Sequence, residues 1–236
     1  NKGISTITYN VLNLPSVVTF SDGSTVTYTY AADGTKLKTV HKTGSTTTTT
    51  DYCGNVVYEN GVQKLLLTDE GYVTLSDNKY HYYLKDHQGN NRVVINQSGT
   101  VEETNHYYPF GGVFASAGNV QPYKYNGKEY DGKKGLNWYD YGARMYDAAL
   151  GRFMTVDPLA EKYYPMSPYG YCLNNPIKFI DADGRLPRIY IERKGFGHAF
   201  VTVGNGDNTI VYTYGRYGEL GKDKSSARNT SPTGEG

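Results

Sequence analysis

Residues 138–186 have the sequence WYDYGARMYDAALGRFMTVDPLAEKYYPMSPYGYCLNNPIKFIDADGRL, and this stretch decides how the chain is interpreted. Asp157 comes directly before Pro158. An Asp at the N-cap accepts a backbone N–H and Pro is favoured at the first helical position, so the pair predicts a short helix over residues 159–164. The pair Ser167-Pro168 repeats the pattern and predicts a second short helix.

The second helix is expected to end at residues 174–176, where two Asn residues precede a Pro. A buried strand is predicted next, with apolar residues at Ile177, Phe179 and Ile180. The sequence Asp-Ala-Asp-Gly at residues 181–184 then predicts a turn, because glycine supplies the positive φ that such turns need.

Before residue 123 the chain alternates short polar and apolar runs with glycine turns. Residues 25–30 read TVTYTY and are flanked by two Asp-Gly turns, which is a β-hairpin signal. Similar units return at a spacing of roughly 20 to 40 residues, as in proteins built from stacked supersecondary units. The chain also has 25 Tyr and 28 Gly, a composition typical of strands and turns. These features predict a mainly β fold of stacked hairpins.

The motifs of residues 138–186 occur in the order Tyr-Asp-Tyr-Gly-Ala-Arg-Met-Tyr-Asp, Leu-Gly-Arg-Phe, Val-Asp-Pro-Leu, Asn-Asn-Pro-Ile and Asp-Ala-Asp-Gly. They closely resemble the RHS repeat-associated core of RHS and YD-repeat proteins, which include polymorphic bacterial toxins, the C component of insecticidal Tc toxins and the teneurins. The segments NHYYPFGG, ending at Gly112, and YKYNGKEYD, ending at Asp131, resemble the elements that precede and open that core.

This resemblance implies a β-hairpin spiral that forms part of a hollow shell. It divides the chain into YD/RHS repeats over residues 1–122, the repeat-associated core over residues 123–186 and a variable C-terminal effector over residues 187–236. We expect two short helices in the core and a small β or α+β extension after it. Because RHS shells usually have many more repeats, we also expect the chain to be part of a longer protein.

The resemblance also implies a reaction. In toxin members of the family, paired aspartates of these motifs are implicated in self-cleavage just after the Asp-x-x-Gly turn. The matching positions are Asp157 and Asp181, with Arg144 as their basic neighbour, and the cut is expected after Arg185. Two carboxylates held close together cannot both ionise cheaply, so one would act as general acid while the other activates water. The family usually has Pro where this chain has Ala182, which loosens the turn.

A simpler interpretation of these aspartates stays open. Asp157 would then be only a helix cap, and Asp181 only a turn former. Asp183 is a further candidate carboxylate, ranked below Asp181 because the family varies at that position.

The sequence after Leu186 predicts three short strands separated by glycine turns. His198 begins the second of these strands, where papain-like and NlpC-like amidases place their catalytic histidine. Such a histidine needs a thiolate partner, and no Cys occurs between residues 186 and 236. His198 is therefore interpreted either as a structural residue or as a catalytic one.

Three functions follow from these observations. The first is a shell that encloses its C-terminal segment as cargo and releases it by self-cleavage, with a secretion apparatus and an immunity protein as possible partners. The second is a cell-surface or adhesion protein without chemistry, as in teneurins. The third is a peptide or amide hydrolase in the tail, using His198.

Composition limits the remaining classes. The net charge of +1 indicates neither nucleic acid nor an anionic membrane as partner. No apolar run approaches the roughly 18 residues of a membrane span, and no signal peptide is visible. The resemblance to RHS proteins implies a secreted or cell-surface protein, with an export signal that is not present in this sequence. Cys53 and Cys172 have no metal-type spacing, and we expect both to be buried free thiols. No cofactor or metal is predicted.

Overall fold

A computed structural model describes residues 2–162 and 166–185, together with the backbone of three later strands. Twelve strands form one antiparallel sheet in which each strand pairs with the next along the chain. They are β1 Ile4–Tyr9, β2 Pro15–Phe20, β3 Thr25–Tyr30, β4 Lys36–Thr43, β5 Thr46–Cys53, β6 Val56–Glu59, β7 Val62–Thr68, β8 Gly71–Thr74, β9 Lys79–Lys85, β10 Asn91–Asn96, β11 Val101–Tyr107 and β12 Val113–Ala117. The predicted mainly β hairpin fold is confirmed.

Two smaller antiparallel sheets follow in the chain. The second sheet contains β13 Glu129–Asp131, β14 Trp138–Asp140, β15 Met145–Asp147 and β16 Arg152–Phe153. The third contains β17 Phe179–Ile180, β18 Ile189–Glu192, β19 His198–Val203 and β20 Ile210–Tyr214. The pairing of β17 with β18 therefore connects the end of the core motif to the segment predicted as cargo.

The hairpins of the long sheet share one turn chemistry. The Oδ1 atoms of Asp22, Asp33, Asp86 and Asn96 each accept the backbone N–H of the residue two positions later, at 2.9–3.0 Å. In each turn a glycine one or three positions after the Asp or Asn has a positive φ. Glycine adopts this backbone conformation without steric cost because it has no Cβ. This repeated side-chain turn explains the periodic Asp-Gly punctuation of the sequence.

Tyrosines dominate the main core cluster, which contains Tyr107, Tyr125, Tyr139, Tyr141, Tyr146, Phe153, Tyr171 and Cys172. The hydroxyls of Tyr125, Tyr139 and Tyr146 donate to three successive backbone carbonyls of residues 109–111, at 2.7, 2.9 and 2.8 Å. A buried tyrosine needs such a partner for its hydroxyl. The cluster thus fixes the Pro-Phe-Gly element of the chain against the second sheet.

Ionic contacts join the second sheet to the long sheet. Lys36 of β4 pairs with Glu129 at 2.7 Å and with Asp140 at 2.5 Å, while the Tyr52 hydroxyl donates to Glu129 at 2.6 Å. Glu129 is the first residue of β13, so this strand is held directly against the long sheet.

At the positions of the two predicted helices the described residues form 3₁₀ turns, Ala160–Lys162 and Cys172–Asn174, and residues 163 and 164 of the first prediction lie outside the described residues. The second begins at Cys172 rather than at Pro168, and its three residues have φ of 47°, 54° and 59°. This left-handed turn cannot extend into a right-handed helix. Two further 3₁₀ turns, Tyr125–Gly127 and Lys133–Gly135, lie where no helix was predicted.

Two predictions of burial were wrong. Ile177 is 55% exposed, because it lies in a turn closed by the N–H groups of Lys178 and Phe179, which both donate to the Asn175 carbonyl. Cys53 is exposed at the end of β5, whereas Cys172 is buried as expected; both are free thiols.

Within residues 2–162, residues 166–185 and the strands after them, no helix is long and apolar enough to cross a membrane. The same part of the chain contains no cluster of His, Cys, Asp and Glu side chains suited to a metal ion.

Candidate functional site

Arg144 lies at the centre of the site, in the hairpin between β14 and β15. Its side chain is fully buried, and its guanidinium carbon lies 3.7 Å from the centre of the Phe153 ring. The backbone carbonyl of Arg144 accepts the N–H of Tyr141, which closes the hairpin. Because arginine keeps its charge when buried, this position requires anionic or carbonyl partners.

Asp157 provides the first anionic partner. Its Oδ2 accepts a hydrogen bond from Arg144 Nη2 at 2.7 Å, and its Oδ1 accepts the backbone N–H of Leu159 at 2.7 Å. The backbone N–H of Asp157 donates to the Pro168 carbonyl, which also accepts a bond from Arg144 Nη1. The predicted N-cap bond is present, and the same carboxylate also forms a buried ion pair.

Asp181 provides the second anionic partner and shapes the turn of residues 181–185, called the DADGR turn below. Its Oδ1 accepts the backbone N–H groups of Gly184 at 2.7 Å and of Arg185 at 3.2 Å. Its Oδ2 lies 3.5 Å from Arg144 Nη2, the nitrogen that also binds Asp157. Arg144, Asp157 and Asp181 therefore form one cluster, called the buried trio below.

The DADGR turn is also held through its carbonyls. Gly184 O accepts a bond from Arg144 Nε at 2.6 Å, and Asp183 O accepts the backbone N–H of Ala143 at 3.1 Å. Ala182 O accepts a bond from Lys128 Nζ at 2.5 Å. Sequence reasoning did not select Lys128 as a site residue, although its position in the Gly-Lys-Glu motif was a usable signal.

Electrostatics distinguish the groups near the site. Burial lowers the pKa of the Arg144 guanidinium from its ordinary value, while the negative charges of Asp157 and Asp181 act in the opposite direction. Burial also raises the pKa of the Cys172 thiol to about 12, so this thiol is protonated at neutral pH. A protonated thiol is a poor nucleophile, which argues against Cys172 as a catalytic partner for His198.

The remaining predicted residues lie apart from the trio or outside the described residues. Asp183 and Ala182 are exposed, and Asp183 Oδ1 accepts the N–H of Arg185 at 3.1 Å. His198 begins β19, and its side chain lies outside the described residues. Leu186, on the far side of the predicted cut, also lies outside them.

Sequence comparison identifies toxin subunits and a surface protein as relatives. Toxin subunit YenC2 of Yersinia entomophaga is 35% identical over 104 residues, which are 42% of this chain and 10% of that protein. Toxin subunit YenC1 of the same organism is 32% identical over 108 residues, 43% of this chain and 11% of that protein. Salivary gland surface protein 1 of Aedes aegypti is 40% identical over 114 residues, 47% of this chain and 3% of that protein.

Comparison of folds also finds toxin proteins, and these matches cover more of the chain. The crystal structure of TcdB2-TccC3-Cdc42 matches 77% of this chain with a TM-score of 0.65 and 22% identity. The chain has the fold of an RHS shell. The Tc holotoxin pore of Photorhabdus luminescens matches 81% of it with a TM-score of 0.67 and 21% identity. The resemblance to the RHS and YD-repeat family is thereby confirmed.

The chain covers only a small part of its relatives. It spans 10% of each of the two solved structures named above and 11% or less of the three proteins named above. At this level of identity, the solved structures establish the fold alone. No protein-family profile matches the chain.

Proposed function

We propose that this chain is the closing part of an RHS shell that cuts its own backbone after Arg185 and so releases the segment that follows. The observation that carries the proposal is the buried trio, in which Asp181 and Arg144 also bind the backbone of Gly184 and Arg185. Asp181 therefore contacts the backbone just before the proposed cut, and Asp157 is linked to the same place through Arg144.

The proposed reaction is hydrolysis of the peptide bond between Arg185 and Leu186. One aspartate of the trio accepts a proton from water as the water oxygen adds to the carbonyl carbon of Arg185. The other aspartate, which must be in its protonated form for this step, donates its proton to the Leu186 nitrogen as the C–N bond breaks. One water molecule is consumed, and the products are a carboxylate at Arg185 and a free amino group at Leu186.

Arg144 has two roles in this mechanism. Its charge stabilises the aspartate that is ionised, while the other aspartate keeps its proton, because two carboxyl groups this close cannot both ionise cheaply. Its Nε–H also holds the carbonyl of Gly184 at 2.6 Å, which fixes the residue before Arg185. Holding reacting groups in place in this way accounts for a large share of many enzymatic rate enhancements.

The parts of the molecule are assigned accordingly. Residues 1–122 are the repeat wall, residues 123–186 are the core motif that carries the reaction, and residues 187–236 are the cargo, which would leave with Leu186 at its N-terminus. TcdB2-TccC3, which has a similar fold, has been solved without a hypervariable C-terminal region, and this supports a variable segment after the core here. As part of a toxin, the protein would be secreted and would have a secretion apparatus and an immunity protein as partners.

The test uses the full-length protein that contains this chain. We expect the wild type to yield a C-terminal fragment whose N-terminal sequence starts Leu186-Pro187. Asp157→Asn and Asp181→Asn should each abolish this fragment while leaving the far-ultraviolet spectrum of the sheet unchanged, because Asn retains cap and turn bonding. Asp33→Asn is the matched control, since Asp33 makes the same turn bond on an exposed hairpin.

Intact mass and N-terminal sequencing provide the measurement. Processing of both site variants at the wild-type rate would show that the aspartate mechanism is wrong. Loss of processing in the Asp33 variant as well would mean that folding, rather than chemistry, is being disturbed.

A second function is favoured by one comparison, the 40% identity to a surface protein of Aedes aegypti. In that case the repeats would serve in cell-surface contact or adhesion, and the buried trio would only stabilise the fold. A full-length protein that stays uncut and binds to cell surfaces would support this function over the first.

A further inference from the structure

The DADGR turn is held at three successive backbone carbonyls, by partners from two different parts of the chain. The N–H of Ala143 and the guanidinium of Arg144, which bind Asp183 O and Gly184 O, come from the hairpin between β14 and β15. Lys128, which binds Ala182 O, comes from the segment just before β13. Lys128 is thus an independent attachment of the turn.

Lys128 has an aromatic ring and several carboxylates near its ammonium group. Its ammonium lies 5.3 Å from the centre of the Tyr141 ring, and Asp140, Asp181 and Asp183 all act on its charge. Despite these carboxylates, Lys128 forms no ion pair within the described part of the chain and donates instead to a backbone carbonyl. A cavity of about 310 Å³ adjoins it, lined in part by Tyr141, Ala182 and Asp183.

The next residue, Glu129, faces a different partner. Its carboxylate binds Lys36 Nζ at 2.7 Å and the Tyr52 hydroxyl at 2.6 Å, both on the long sheet. Two adjacent residues therefore bind two different parts of the molecule. Lys128 binds the DADGR turn, and Glu129 binds the long sheet. A displacement of β13 from the sheet would move the attachment point of the turn.

We propose that Lys128 is a positioning residue for the self-cleavage and that, through Glu129, it makes the geometry of the DADGR turn depend on the docking of β13 against the long sheet. This inference rests on the function proposed above. Misplacement of a reacting group by about 1 Å can slow a reaction by about 100-fold, so the loss of one carbonyl attachment is expected to be visible in the rate.

The experiment measures how fast newly synthesised full-length protein is processed, by pulse labelling and chase. Lys128→Met is expected to slow processing by up to about 100-fold, and Lys128→Arg to restore most of the rate, because arginine also donates to a carbonyl. Lys2→Met is the matched control, since Lys2 also binds a backbone carbonyl, that of Leu136, and pairs with Asp147, away from the DADGR turn.

The pH profile separates positioning from a general loss of stability. Burial lowers the pKa of Lys128 from its ordinary value, so its charge is lost at a lower pH than that of a free lysine. Processing by the wild type should therefore decline on the alkaline side, whereas the Lys128→Arg protein should retain its rate there, because arginine stays charged. A purely structural role would leave the two profiles parallel.

The link to the long sheet has its own test. Glu129→Gln leaves the DADGR turn untouched but weakens the contact with Lys36, and it should slow processing by a smaller factor than Lys128→Met. An unchanged rate in Glu129→Gln, beside a slow Lys128→Met, would overturn the link to the sheet.

Two failures are distinguishable. A wild-type protein that is not cut after Arg185 would refute the proposed function, and this inference with it. A wild type that is cut, an Asp157→Asn protein that is not, and a Lys128→Met protein that is cut at the wild-type rate would refute only the role of Lys128. Protease resistance of the uncut chains shows whether each variant is folded. If Lys128→Met does not fold, the rate of Lys128→Arg is compared with that of the wild type instead.

Discussion

The long sheet and the core that follows it are both antiparallel, but they are stabilised in different ways. In the sheet each strand contacts its neighbours, and the turns are closed by short Asp and Asn bonds at the surface. In the core, four short strands contribute to a buried cluster of tyrosines that lies next to a fully buried arginine. Stability is therefore distributed along the sheet and concentrated in the core.

Charge pairs make the contrast clearest. The pair of Lys64 with Glu59 on the sheet has side chains that are 48% and 37% exposed. The pair of Arg144 with Asp157 in the core has side chains that are both 0% exposed. Exposed pairs contribute little, whereas removing one member of a buried pair leaves an uncompensated charge. These two pairs thus differ in their consequences because one is exposed and the other is buried.

The largest effect is expected for Arg144→Met. The substitution leaves Asp157 and Asp181 buried without their cation and removes the bonds to Gly184 O and Pro168 O. We expect the free energy of unfolding to fall by about 3–5 kcal/mol and processing to stop. Urea denaturation and intact mass measure the two outcomes. An unfolding free energy within about 1 kcal/mol of the wild type would show that the trio does not concentrate stability in the core.

A smaller effect on the free energy of unfolding is expected when Gly184 of the core and Gly54 of the long sheet are each replaced by Ala. Gly184 has φ of +76°, and a Cβ there would lie 3.1 Å from the backbone nitrogen of Arg144 and 3.2 Å from Tyr141 Cβ. Gly54, in the turn between β5 and β6, has φ of +60° and open space around the same position. Gly54→Ala should cost about 1–2 kcal/mol from backbone strain alone, and Gly184→Ala more.

Processing distinguishes the two glycine variants further. Because Gly184 lies within the DADGR turn, its substitution should also slow the cut, whereas Gly54→Ala should leave it unchanged. Thermal denaturation and pulse labelling of both variants provide the test. Equal losses of stability, with equal rates, would contradict the proposed difference between the turns of the sheet and of the core.

The smallest effect is expected on the sheet, for Lys64→Met. The ammonium of Lys64 lies 2.6 Å from Glu59, but both side chains are in contact with solvent. The free energy of unfolding should change by about 1 kcal/mol or less, and less still at high salt. Urea denaturation at low and high ionic strength checks this. A loss of several kcal/mol would mean that the sheet also depends on individual ion pairs.

The strands and turns were predictable because their signals are local. The alternation of TVTYTY predicts β3, and the Asp-Gly pairs on either side predict turns that the structure contains. The bonds of Asp157 to Leu159 and of Asp181 to Gly184 were predictable for the same reason, since both join residues within three positions of each other. Their catalytic role stays a prediction.

Other features could not be predicted from local patterns. Residues 168–173 have a cap and a helical length, yet the chain there forms a left-handed turn at Cys172, packed against the tyrosine cluster. Ile177 has the hydrophobicity of a strand residue and is exposed, because the neighbouring turn is closed by Asn175. In both places tertiary contacts outweigh local propensity.

The sequence by itself determined the class of fold, the hairpin punctuation and, through the order of its motifs, the resemblance to RHS shells. Only the tertiary structure decided which charges meet. Arg144, Asp157 and Asp181 are separated by up to 37 positions, and Lys128 lies 54 positions before the carbonyl that it binds. Local propensity acts over a few residues, whereas the pairing of buried charges depends on how distant segments pack, because a charge can be buried only where a partner is brought to it.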